Sequence, residues 1–129
     1  MFRFFEELCA IPHGSRNCQA VSDWCVAFAR ERGLDAGLLM TLLRKLDFSR
    51  TQLEKPMEDY SEGQKKKVLL AASLITKAHL YIWDEPLNYI DVFSRMQIED
   101  LILKYRPALL FVEHDRAFAE RIATKTIAL

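Results

Sequence analysis

Two kinds of hydrophobic pattern alternate along the chain. Val21, Trp24, Cys25 and Phe28 fall at i, i+3, i+4 and i+7, the single apolar stripe of an amphipathic helix. That spacing predicts a helix from about Cys18 to Arg32, with Asn17 as its cap and Gly33 at its stop. Phe2, Phe5 and Cys9 mark an earlier helix over residues 2–11, closed by the turn residues Pro12-His13-Gly14-Ser15. Leu38, Leu39, Leu42, Leu43 and Leu46 give a third. Asp47 to Arg50 then reads as a turn, and Leu53 to Asp59 as a lead-in to the next element. Ser61 is a good cap for a fourth helix, in which Val68, Ala71, Ala72 and Ile75 repeat at helical spacing.

The pattern then changes to continuous apolar runs. Leu80 to Trp83 ends in Asp84-Glu85-Pro86, and Ala108 to Val112 ends in Glu113-His114-Asp115. Runs of this length with β-branched and aromatic members predict strands buried on both faces of a parallel sheet. Between them Ile98, Leu101, Ile102 and Tyr105 mark a helix, entered through the turn Leu87-Asn88-Tyr89-Ile90-Asp91 and ended by Pro107. A short helix from Arg116 to about Ala123 leads to Thr126-Ile127-Ala128-Leu129, read as a last strand. Strand–helix–strand–helix order places the chain in the α/β class with parallel βαβ topology.

Composition narrows the picture without naming a chemistry. Half of the 129 residues are hydrophobic and Gly and Pro number four each, so the chain reads as globular rather than disordered. Eighteen acids balance eighteen bases, and no global field steers it to nucleic acid or to a membrane surface; Lys65-Lys66-Lys67 is a candidate local basic patch. No apolar run approaches the roughly 20 residues of a membrane span, and the start lacks the basic-then-apolar order of a secretory signal. Cys9, Cys18 and Cys25 are odd in number and form no Cys-x-x-Cys pair. Neither a disulfide framework nor a zinc site is indicated, and reduced thiols point to the cytoplasm.

The candidate chemistry lies where these elements end. Adjacent carboxylates at the end of a buried strand repel each other and cost desolvation, an arrangement that a metal cation in front of Asp84 and Glu85 relieves. A helix preceded by Ser61 and opening with Gly63 presents free backbone N–H groups, which suit a phosphate. The ordered set Ser61-Glu62-Gly63-Gln64, Asp84-Glu85-Pro86, Asn88-Tyr89-Ile90-Asp91 and His114-Asp115 resembles the signature, Walker B, D-loop and switch histidine of an ATP-binding-cassette (ABC) ATPase. Residues 37–129 resemble the C-terminal part of such a domain. The phrases Glu-Pro-Leu-Asn-Tyr-Ile-Asp and Val-Glu-His-Asp-Arg-Ala-Phe look like the ABC-F class, and more narrowly its antibiotic-resistance subgroup that protects ribosomes.

The resemblance implies a partial ABC ATPase domain, a signature helix plus parallel strands with crossover helices, behind a two-helix segment. It implies ATP and Mg²⁺ as cofactors, with Asp84 holding Mg²⁺ through water, Glu85 as catalytic base and His114 contacting the γ-phosphate. Ser61 and Gly63, with Gln64 beside them, would contact a nucleotide held on an opposite cassette, and Asp91 would reach across the same interface. The implied partners are a second cassette, which supplies the Walker A lysine loop, and a ribosome; the class has no membrane part.

Two departures from the family pattern stand out. Glu62 occupies a signature position where glycine is usual. At about 4 Å and an effective dielectric near 20, its repulsion of a phosphate approaches roughly 4 kcal/mol, and solvent exposure reduces this to about 1; the alternative is an acid turned outward at the helix start. The second departure weighs more. No Gly-x-x-x-x-Gly-Lys-Ser/Thr occurs, and no glycine is followed by lysine, so the phosphate-cradling loop is missing from these residues. Positioning and charge neutralisation supply nearly all the rate in phosphoryl transfer, so little ATPase activity is expected of the chain alone.

The front of the chain carries a different likeness. Phe-Arg-Phe-Phe-Glu-Glu-Leu-Cys-Ala-Ile-Pro-His-Gly-Ser, with Ala-Val-Ser-Asp-Trp following, resembles the opening helices of aminoacyl-histidine dipeptidases. Their metal-binding His-x-Asp does not occur here. This predicts a division into a helical segment, residues 1–36, and the cassette portion, residues 37–129, with the join near Gly37. Three functional readings follow: a truncated cassette that binds in trans, a dipeptidase fragment, and a product without function. In a cassette lacking its front strands, sheet edges and an apolar face would be left uncovered.

Overall fold

The computed structural model describes residues 23–128. Helix α1 (Asp23–Glu31) ends at Gly33, which takes a left-handed φ of 64°. The Leu34 N–H turns back to the Ala29 carbonyl at 2.8 Å, so the expected glycine stop is present. Helix α2 (Ala36–Lys45) follows almost at once, with Asp35 accepting from the Leu38 N–H at 2.7 Å. Gly37 lies in the first turn of α2. Cys25, Phe28 and Ala29 of α1 share one core with Leu38, Leu39, Leu42 and Leu43 of α2.

The stretch read as a turn and lead-in holds more structure than the sequence predicts. Ser49 caps a four-residue helix, α3 (Arg50–Leu53), through a reciprocal box with Gln52, and a 3₁₀ turn follows at Met57–Asp59. Elements this short show no periodicity. Helix α4 (Glu62–Ile75) buries Val68, Ala71, Ala72 and Ile75 as the stripe predicts. Strand β1 (Tyr81–Asp84) comes next, then helix α5 (Val92–Tyr105), capped by Asp91 and ended by Arg106 at a left-handed φ of 46° just before Pro107. Strand β2 (Leu109–Val112) and helix α6 (Arg116–Ile122) complete the described chain.

The two strands pair in parallel, with Tyr81 opposite Leu109 and Asp84 opposite Val112. Helix α5 is the crossover, as the element order requires. The Trp83 indole N–H donates to Ser73 Oγ at 2.8 Å and pins β1 onto α4. The buried Ser94 Oγ of α5 also lies 3.0 Å from the Leu46 carbonyl oxygen.

Two expectations are corrected. Tyr81 and Trp83 face the helices, but Ile82, Leu110 and Val112 are 70%, 55% and 54% exposed. The sheet is therefore covered on one face, because no described element lies against the other. Residues 126–128 form no strand, and Ile127 is 73% exposed. The predicted helix over residues 2–11 and the start of the second lie outside the described residues.

Candidate functional site

The parallel register delivers two loops to one place. Because Asp84 lies opposite Val112, the residues just beyond β1 and β2 emerge side by side. The Glu85 N–H donates to the Val112 carbonyl at 2.9 Å, one rung past β1. Glu85 then adopts a left-handed φ of 43°, uncommon for a residue with a long side chain. Its Oε1 lies 3.1 Å from His114 Nε2, and its Oε2 accepts from the Asn88 side-chain amide. The His114 side chain is 85% exposed, so this contact rather than packing orients the ring.

Asp84 is exposed, and among the described residues its carboxylate has no hydrogen bond or ion pair. Its carbonyl accepts from Lys66 Nζ at 3.3 Å. A free carboxylate beside a second acid fits a hydrated divalent cation. Among the described residues no cluster of three ligands forms a direct metal cage. For a nucleotide the fit is partial, since acids and a histidine are present at the phosphate end but no glycine-lysine loop is there to cradle it.

The start of α4 forms the other wall. Ser61 Oγ accepts from the Gln64 N–H at 3.2 Å, and Gln64 Oε1 accepts from the Ser61 N–H at 2.9 Å, a capping box. Gly63 packs so tightly on the turn after β1 that a Cβ there would stand 2.4 Å from the Tyr89 carbonyl oxygen. Tyr89 itself is left-handed, at φ 64°. A depression of about 270 Å³ lies between these parts, lined by Glu62, Lys65, Lys66, Asp84, Glu85 and Tyr89 among others. Glu62 turns outward, 71% exposed, and pairs with Lys65 Nζ at 3.2 Å, which is the second of the two placements expected for it.

Asp91 is occupied within its own chain. Its Oδ1 accepts from the Ser94 N–H at 2.9 Å, and its Oδ2 accepts from Ser94 Oγ at 3.0 Å and pairs with Lys67. Burial pushes this carboxyl up, but the Lys67 ammonium and the Ser94 donors outweigh it and hold the pKa at about 2. The run Lys65-Lys66-Lys67 is thus no basic patch. Lys65 goes to Glu62, Lys66 to the Asp84 carbonyl, and Lys67 is buried against Asp91.

Behind the site, Asp115 caps α6 and accepts bidentately from Arg95 at 2.6 and 3.0 Å. That guanidinium holds Asp115 below the usual carboxylate range, and Asp115 in turn raises Arg95. Sequence reasoning named Lys67, Asn88 and Glu113 only as members of longer runs, without a role of their own, and did not single out Arg95. Besides its i,i+4 partner Glu99, Arg95 reaches Asp115, and besides the adjacent N–H groups Glu113 reaches Leu87; those two longer links leave no local pattern.

A family model described as ABC transporter matches residues 5–88, more than half of the chain. The chain belongs to the ABC transporter family. Among curated proteins it is similar to YdiF of Bacillus subtilis, 38% identical over 75% of this chain and 15% of that protein. It is also similar to the ribosome protection protein VmlR of Bacillus subtilis, 32% identical over 79% of this chain and 19% of VmlR. The ATP-binding protein Uup of Caulobacter vibrioides is 38% identical over 64% of the chain and 14% of its own length. The chain thus spans less than a quarter of each of these ABC relatives. Among the described residues, no helix of this ABC chain is long and apolar enough to cross a membrane.

Proposed function

We propose that the chain is the C-terminal part of an ABC-F type ATP-binding cassette and offers its signature face to nucleotide held by a second cassette. The observation that carries this reading is the backbone contact between Gly63 and the Tyr89 carbonyl. It joins the start of α4 and the turn after β1 into one surface beside Glu85 and His114. In this reading residues 37–129 make up the cassette portion, and residues 1–36 a helical segment that meets it through α1.

Ser61 supplies a hydroxyl donor and Gly63 a backbone N–H toward the γ-phosphate of the opposite cassette, while Gln64 holds Ser61 in place. Asp91 serves the interface indirectly, by fixing the turn that Tyr89 presents. At the strand end, Asp84 would hold Mg²⁺ through water, Glu85 would accept the proton of the attacking water, and His114 would contact the γ-phosphate. When bound, ATP brings the transferable phosphoryl group and Mg²⁺ its neutralising charge. Without a phosphate cradle this half of the site turns over slowly, if at all. The similarity to VmlR, named a ribosome protection protein, supports a cytoplasmic location, a ribosome as the larger partner and a part in antibiotic resistance.

The test is to titrate the chain into an intact cassette that carries the lysine loop and to follow ATP hydrolysis. The rate is expected to change saturably, and Gly63→Ala is expected to abolish the effect by driving the α4 start off the Tyr89 carbonyl. A rate that stays flat at saturating chain rejects the proposal. The exposed face of Ile82, Leu110 and Val112 favours one rival, an inactive cassette remnant, for which the flat rate is the expected result.

A further inference from the structure

Glu113 stands between the two loops that carry the site. Its Oε2 accepts from the Leu87 N–H at 3.2 Å, in the turn after β1. Its Oε1 accepts from the N–H groups of His114 and Asp115 at 2.8 and 3.3 Å, in the segment after β2. A carboxylate can accept on both oxygens at once, whereas an amide offers one acceptor and turns donors toward the other loop. The strand ladder ends at the bond from the Glu85 N–H to the Val112 carbonyl. Beyond that rung, Glu113 links the backbone of one loop to that of the other, next to His114 and two residues from Glu85 on the facing side.

We infer that Glu113 is a positioning residue: by fastening Leu87 to the start of the β2 loop, its carboxylate sets the distance between Glu85 and His114. The inference rests on the reading of those two residues as a working pair. It assigns Glu113 no contact with nucleotide. Charge-assisted bonds of this kind are roughly twice as strong as neutral ones, and the exposed His114 ring has little else to hold it. Loss of the link is expected to free the pair while leaving the buried core intact.

Glu113→Gln in the full chain tests this by NMR without any nucleotide. In the wild type, a nuclear Overhauser contact is expected between the Glu85 γ protons and the His114 ring, with the Leu87 amide proton shifted downfield. In Glu113→Gln both signals are expected to be lost while the urea midpoint stays in place. A contact and an amide shift that persist in the variant overturn the inference and leave the pair standing. A wild type without the contact overturns the pairing of Glu85 with His114, and the inference with it. Should the glutamine variant not fold, Glu113→Asp gives the same reading, because its shorter carboxylate keeps the charge near His114 but falls short of Leu87.

Discussion

Lys67 and Asp91 show how a site residue is spent on its own scaffold. Lys67 is 8% exposed, and a buried ammonium is stable only with a partner. The partner is Asp91, whose other bonds cap α5. Removing it with Asp91→Asn leaves Lys67 buried and unpaired. Breaking a fully buried pair costs about 3–5 kcal/mol; with Asp91 itself 45% exposed, a loss of about 2 kcal/mol is expected at neutral pH. The folded pKa of about 2 lies below the ordinary 3.8. The bond therefore contributes fully above about pH 4 and is lost as the pH falls toward about 2. Urea melts of wild type and variant should differ most at neutral pH and converge at the acid end. A gap that stays constant with pH would remove the ion pair as its cause.

At the scale of elements, the long helices and the parallel βαβ unit were legible because periodicity and end signals agree within each of them. Ser61, Gly33 and Pro107 marked their helix ends correctly. The four-residue α3 was not legible, since a single turn cannot display a period. Nor was the sidedness of the strands, because an all-apolar run reads alike whether one face or two are covered. The site was legible to the extent that its motifs are local. The Glu113 and Arg95 links join residues far apart in sequence and depend on the register that brings two strand ends together. Helix α4 offers a direct check on the local part. Ser61→Ala removes the acceptor for the Gln64 N–H and is expected to cost about 1 kcal/mol, read as a lower urea midpoint. A cost near zero would mean that Gln64 finds another acceptor and that the box does not hold the start of α4.

The described residues form one core with one bare wall. Ile82, Leu110 and Val112 present a contiguous apolar surface on a two-stranded sheet, the kind of patch that drives association. Replacing Ile82 and Leu110 with threonine, a β-branched residue that suits a strand, reduces that surface. Self-association, followed by sedimentation, is expected to weaken about tenfold or more with no loss of folding stability. Unchanged association would place the sticky surface elsewhere, with Val92 and Phe93, also exposed, next in line. The backbone at Glu85 bears on a different matter. Its left-handed φ of 43° costs a glutamate roughly 1–2 kcal/mol, a conformation that asparagine tolerates better and glycine enters freely. In a lineage with no use for the carboxylate, drift would replace Glu85 and the protein would be sturdier for it; a glutamate kept there is a standing burden, carried forward only while selection still maintains it.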